Sequence, residues 1–144
     1  MPSVPKGEAA NTLSLAIPPK LSQRILQLEY IEMAELMPET WGLEPDGIVP
    51  CCQQGRRQSR RGPVVDILLW LECYSSLVAV LATKYPQHIG DFMAYQRTII
   101  KASKNFEGTA WVLYDRCYRR RAAATKSLEW ANIDSALYNE AFTG

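Results

Sequence analysis

The sequence predicts an all-α protein: a compact bundle of about five helices, with a long loop between helices 1 and 2. Apolar residues recur at helical spacing along several stretches, and no stretch alternates apolar and polar residues as a strand would. A chain of 144 residues can bury the core of one domain, and 47% apolar with 22% charged residues is typical of globular proteins.

The first helix is expected to follow a leader. Residues 1–17 are mostly small or polar, so we expect a flexible leader before a helical domain that spans 18–144. The Pro18–Pro19 pair begins this helix, because proline is tolerated in the first turn, and the helix is expected to end near residue 37. Its predicted buried side consists of Leu26, Tyr30, Met33 and Met37, with Glu32 and Glu35 facing outward.

A long loop is predicted over residues 38–62, because three prolines and four glycines interrupt any regular period there. Its second half is basic and is predicted to be flexible. A loop of this length inside a compact domain is unusual, which favours either a functional role or disorder.

The second helix is predicted over residues 64–84 and is apolar nearly all round, which is typical of a helix in the middle of a bundle. Asp66 lies where a negative charge interacts favourably with the helix dipole. Asp66 and Glu72 point to different sides of the helix, so they make a poor catalytic carboxylate pair.

Three further helices complete the predicted bundle, at 89–105, 109–127 and 133–142, with Asn132 as the N-cap of the last one. The fourth carries an apolar stripe at helical spacing, formed by Trp111, Tyr114, Tyr118, Ala122 and Thr125. Tryptophans can stack on bases, but at helical spacing they more often belong to a core. The residues predicted to pack in the core are Trp70, Tyr95, Ile99, Trp111, Tyr114, Tyr118, Trp130 and Leu137.

Basic clusters are the candidates for binding a nucleic acid through its phosphates. A net charge of +1 argues against a protein that coats nucleic acid with its whole surface, but the charge is unevenly distributed. The candidate residues are Arg56, Arg57, Arg60 and Arg61 in the loop, Arg97, Lys101 and Lys104 on helix 3, and Arg116, Arg119 and Arg120 on helix 4. The alternative is that they form solvated faces or pair with the acidic first helix.

The sequence does not indicate an enzyme. It contains no Gly-rich phosphate loop, no His-Glu-x-x-His and no Gly-x-Ser-x-Gly. The single histidine, His88, has no nucleophile spaced to meet it, and a surface or capping role is expected. We therefore predict no catalytic residue, no cofactor and no small-molecule substrate.

The four cysteines do not form a zinc motif, since none belongs to a Cys-x-x-Cys pair, so no metal site is predicted. Cys73 and Cys117 are expected to be small core residues, whereas Cys51 and Cys52 fall in the loop. With no signal peptide apparent, the prediction is an intracellular, cytoplasmic protein, with the nucleus as the alternative. No membrane partner is expected, because the charge-free part of the second helix is shorter than the ~20 residues that a bilayer needs.

A pattern of spaced aromatic residues resembles a known family. The pattern includes Trp70, Tyr95-Gln96, Gly108-x-Ala-Trp111-x-x-Tyr114-Asp115-x-x-Tyr118-Arg119 and Trp130-x-x-Ile133-Asp134-x-x-Leu137-Tyr138 with Phe142. Over residues 60–144 the chain resembles the Gag-like first-frame protein of DIRS/Ngaro-type tyrosine-recombinase retrotransposons. Where that family often has Phe-Arg shortly after Tyr-Asp, this sequence has Tyr118-Arg119.

The resemblance implies a structural, capsid-like domain that self-assembles as a homo-oligomer and has element RNA as a further partner. In that family a Cys/His zinc knuckle usually follows the capsid region, and these 144 residues contain none. The prediction is therefore a self-assembly domain that associates through helix faces and presents basic clusters to nucleic acid. The alternative is a helical module that binds nucleic acid, or docks a partner as an adaptor, without assembling.

Overall fold

A computed structural model describes residues 17–38 and 63–143. These residues form five α-helices, two short 3-10 helices and no strand, which confirms the predicted all-α bundle with a long connection between helices 1 and 2. The α-helices are α1 (Pro19–Leu26), α2 (Ile67–Lys84), α3 (Ile89–Asn105), α4 (Ala110–Thr125) and α5 (Ser135–Phe142). Apart from Ile17 and Pro38, the predicted leader and loop lie outside the described residues.

The first helix is shorter than predicted, because α1 ends at Leu26 instead of near residue 37. Leu28 takes a left-handed backbone conformation (φ +62°), which a continuing α-helix excludes. The chain resumes as a 3-10 helix, Met33–Leu36, whose start is closed by reciprocal hydrogen bonds between Glu32 and Glu35. The predicted buried side is correct for Met33, which is buried, but Leu26, Tyr30 and Met37 are only partly buried. The other buried residues between positions 25 and 37 are Ile25, Ile31, Ala34 and Leu36.

Helix α2 is central to the packing, but it is not covered on all sides as a helix in the middle of a bundle would be, because Leu68 and Glu72 are exposed. It packs against α1 and the 3-10 helix on one side and against α3 on another. The Asp66 carboxylate caps it by accepting a hydrogen bond from the Leu68 amide (3.1 Å), so α2 begins at Ile67, three residues later than predicted. By length and mean hydropathy alone α2 would suffice to cross a membrane, but a buried core helix has the same composition.

The last three helices form a consecutive series, in which α3 packs on α4 and α4 packs on α5. Gly108, with φ +81°, provides the turn between α3 and α4. The N-cap of α5 is Asp134 and not Asn132, because the Asp134 carboxylate accepts a hydrogen bond from the Leu137 amide (3.1 Å). Lys126 ends α4 in a left-handed conformation and donates to the Gln27 carbonyl (3.0 Å), which joins this turn to the end of α1.

Aromatic rings fill the core where α2, α3 and α4 meet. The Trp70 ring stacks on Tyr74 at 4.7 Å and meets the Trp111 ring edge-on at 6.2 Å. Seven of the eight residues predicted to pack in the core are buried: Trp70, Tyr95, Ile99, Trp111, Tyr114, Trp130 and Leu137. Tyr118, the eighth, is half-buried, and its hydroxyl donates to the Asn132 carbonyl.

Buried tyrosines make the stability of this core sensitive to alkaline pH. Burial raises the pKa of Tyr118 to about 12 and the pKa values of Tyr74 and Tyr95 well above the ordinary 10.0. The unfolded chain therefore releases these protons at lower pH than the folded chain. Their contribution to stability is fully present below pH 10 and is lost as the pH rises toward and beyond 12.

We expect the free energy of unfolding, measured by urea denaturation, to fall as the pH rises above 10. The Tyr118→Phe variant, which has no ionisable group at that position, should lose less stability between pH 10 and 12 than the wild-type protein. Parallel stability curves for the two proteins over this range would contradict the assignment.

Candidate functional site

The most connected polar group in the described residues is the carboxylate of Asp115, which lies on α4 and is buried. Its Oδ2 accepts a hydrogen bond from the Trp70 indole (3.0 Å), and its Oδ1 accepts one from the Tyr95 hydroxyl (2.7 Å). Arg119, one helical turn later, donates to both oxygens at 2.8 and 2.9 Å. The carboxylate thus accepts four hydrogen bonds, from groups on three helices.

Arg119 is the cation of this buried pair, with only 4% of its surface exposed. It also donates to the Ile31 carbonyl (2.6 Å), and its guanidinium lies over the Tyr30 ring at 5.2 Å. Burial alone would lower its pKa, but the contact with Asp115 outweighs burial and raises it. The prediction that Arg119 is available to nucleic acid is therefore wrong, because all three of its side-chain nitrogens donate within the protein.

The geometry of this network favours a structural role. The two charges balance each other, and the carboxylate oxygens already have their partners. Arg119 lines two cavities, of ≈ 10 Å³ and ≈ 30 Å³, which have space for only about one or two water molecules each. The network can connect α2, α3, α4 and the segment at Ile31, but it leaves a substrate no room.

The sequence carried a signal for this network, in the spacing of Asp115 and Arg119. An acid and an arginine four residues apart lie on the same side of a helix. This spacing predicts an ion pair but not its burial, because each residue also neighbours an arginine that is not buried. Sequence reasoning missed the pair because it counted Arg119 among the candidates for nucleic-acid binding.

Most of the remaining arginines in the described residues also have acidic partners. Arg116 donates to the Glu32 carboxylate (2.7 Å), and Arg120 lies 3.6 Å from the same carboxylate. For these two candidate residues, pairing with the acidic segment before α2 is therefore the observed arrangement. Arg24 pairs with Glu35 and Arg121 with Asp134, each at 2.7 Å.

Three candidate cations on α3 differ from the others. Arg97, Lys101 and Lys104 are exposed on one side of this helix, and their side chains have no ion pair or hydrogen bond within residues 17–38 and 63–143. We call these three residues the α3 basic face. They form the one cluster of predicted nucleic-acid-binding residues that the described structure leaves available, since Arg56, Arg57, Arg60 and Arg61 lie outside the described residues.

An open groove runs beside the α3 basic face, between α3 and the segment that enters α5. Its volume is ≈ 260 Å³. One wall is Arg97 and Lys101 with the small Ala94 and Thr98, and the other wall is Ile133 and Tyr138. Ile133 is 52% exposed. The groove thus combines an apolar wall with a cationic one, and we call it the α3 groove.

The structure also shows how the described histidine, cysteine and acidic side chains are placed. Within the described residues no three acidic, histidine or cysteine side chains are grouped as metal ligands would be. His88 is half-buried, with its Nδ1 3.0 Å from an Asp91 carboxylate oxygen. Cys73 is buried and Cys117 is half-buried, whereas Cys51 and Cys52 lie outside the described residues.

If the Asp115–Arg119 pair organises the core, Asp115→Asn should strongly destabilise the protein, because it leaves the buried guanidinium without its counter-charge. We expect a loss of about 3–5 kcal/mol in the free energy of unfolding, measured by urea denaturation. The control is Arg121→Ala, which breaks an exposed pair of similar length and should cost at most about 1 kcal/mol.

The double variant Asp115→Leu/Arg119→Met should recover part of that loss, since it removes both charges together. An Asp115→Asn variant as stable as Arg121→Ala would contradict the central role of the network.

Comparison with family models, with curated proteins and with solved structures gave no match for this chain. The resemblance to Gag-like proteins therefore stays a prediction from the spacing of aromatic residues. The arrangement of apolar and charged groups at the surface of the bundle is what indicates a function for this chain.

Proposed function

We propose that this chain is a non-catalytic structural domain that self-associates through helix faces, as expected of the Gag-like retrotransposon proteins it resembles, and presents basic residues to nucleic acid. The observation that carries the proposal is a set of large apolar side chains left at the surface of a bundle whose core is already filled. They are Val65, Leu68, Ile89, Met93, Leu113 and Ile133.

Their degree of exposure supports an interface. Leu68 is 72% exposed, and Val65 just before it is 53% exposed. Removing apolar surface from water stabilises an association by roughly 25 cal/mol per Å². A specific interface typically buries about 800 Å² on each partner, which requires several such residues together with their polar surroundings. Because the exposed residues lie on different helices, they favour more than one contact per copy.

A nucleic-acid-binding module that does not assemble is the second candidate function. The α3 basic face favours it, because three cations without acidic partners on adjacent turns can contact phosphates without first breaking an ion pair. The buried Arg119 and the paired Arg116 contribute little to such a surface. An intracellular location is part of the proposal, and the free thiol of Cys117 supports it.

Self-association predicts that the mass measured by size exclusion with multi-angle light scattering rises with protein concentration. Electron microscopy of the purified chain at low and high salt should then show rings, tubes or shells. Nuclease treatment before the measurement serves as a control for assembly held together by nucleic acid. A strict monomer at the highest concentration reached would contradict the proposed function.

Nucleic-acid binding predicts salt-dependent affinity for single-stranded RNA, measured by fluorescence anisotropy. The Arg97→Ala/Lys101→Ala/Lys104→Ala variant should bind more weakly, and its salt slope should decrease by about 0.7 for each phosphate that the variant no longer neutralises. Arg121→Ala is the control, because this exposed arginine is paired with Asp134. Equal salt slopes for both variants and the wild-type protein would exclude the α3 basic face as the RNA site.

A further inference from the structure

We infer that copies of this chain associate head to tail, with the exposed start of α2 from one copy seated in the α3 groove of the next. The inference rests on the proposed self-association and names its two surfaces. It follows from complementary shape and charge at two separate places on the same molecule.

The first surface is an apolar ridge with acidic flanks. Leu68 and Val65 are the two apolar side chains of the ridge, and both are mostly exposed. Asp66 and Glu72 are exposed beside them, and Glu72 is one helical turn after Leu68, on the same side of α2. We call these four residues the α2 ridge. No cation in the described residues pairs with either carboxylate.

The second surface has the opposite character. The α3 groove offers Ile133 and Tyr138 as an apolar wall and Arg97 and Lys101 as a cationic wall. A cavity of roughly 150 Å³ is enough to hold a benzene molecule, so ≈ 260 Å³ has room for branched aliphatic side chains such as leucine and valine. Seating Leu68 there would cover exposed apolar surface on both copies.

The charges favour this pairing over like-with-like contacts. Two α2 ridges placed together would bring carboxylates together, and two α3 grooves would bring cations together. Ridge against groove sets Glu72, which shares the Leu68 side of α2, opposite Arg97 and Lys101, and this charge pairing fixes the partner and its orientation. Contacts between two different patches are heterologous, so they propagate into a ring or a filament instead of stopping at a symmetric dimer.

The test uses two variants of the full chain, each with one surface altered. Leu68→Lys alters the α2 ridge, and Arg97→Glu/Lys101→Glu alters the α3 groove. Each variant alone should need at least about tenfold more protein to associate than the wild type does. Mixed together, they should form a 1:1 dimer and nothing larger, because one supplies the only intact ridge and the other the only intact groove.

Two matched controls keep the result specific. Ala124→Lys introduces the same lysine at an exposed position of α4 that belongs neither to the two surfaces nor to the exposed apolar residues, and Lys20→Glu/Lys84→Glu makes the same change in net charge elsewhere. Both should assemble as the wild type does. Circular dichroism melting curves should match the wild type for every variant used.

The outcomes separate this inference from the proposed function. A wild-type chain that stays monomeric overturns both. Wild-type assembly that survives either ridge or groove variant overturns the head-to-tail inference alone, as does a mixture that forms no dimer. If Arg97→Glu/Lys101→Glu assembles normally but no longer binds single-stranded RNA, the groove serves nucleic acid and the inference is also overturned.

Discussion

The buried carboxylate of Asp115 constrains how the described helices come together. A charge inside a protein is costly unless it is paired and hydrogen-bonded, and here the groups that satisfy it come from α2, α3 and α4. Its partner Arg119 in turn satisfies the Ile31 carbonyl, which fixes the segment between α1 and the 3-10 helix. One ionic group thus sets the relative positions of elements that sequence spacing alone could not orient.

Ion pairs with acidic side chains also determine which cations remain available at the surface. Arg119 is buried in the core, where it pairs with Asp115. Arg116 and Arg120 both lie close to the Glu32 carboxylate. On α3, neither Arg97 nor Lys101 forms an ion pair with an acidic side chain of the described residues. Among the described residues, only some of the basic side chains are therefore available to an anionic partner.

The exposed apolar residues indicate an interface only in combination with the charges that lie beside them. A lone exposed leucine is ordinary in a soluble protein. Leu68 is different because carboxylates flank it, and Ile133 is different because it faces unpaired cations across a groove. Self-association through these two surfaces would use the charges for orientation and the apolar side chains for affinity.

The sequence by itself determined the helical class, the span of α3 and seven of the eight residues it predicted for the core, because helical periodicity and aromatic spacing are local properties. It did not determine which side of α2 stays exposed, since the composition of this helix is apolar nearly all round. It could not determine that α1 ends at Leu26 or that Arg119 points inward. A left-handed turn at Leu28 and a buried partner at Asp115 depend on contacts between distant segments, and only the tertiary structure decides those.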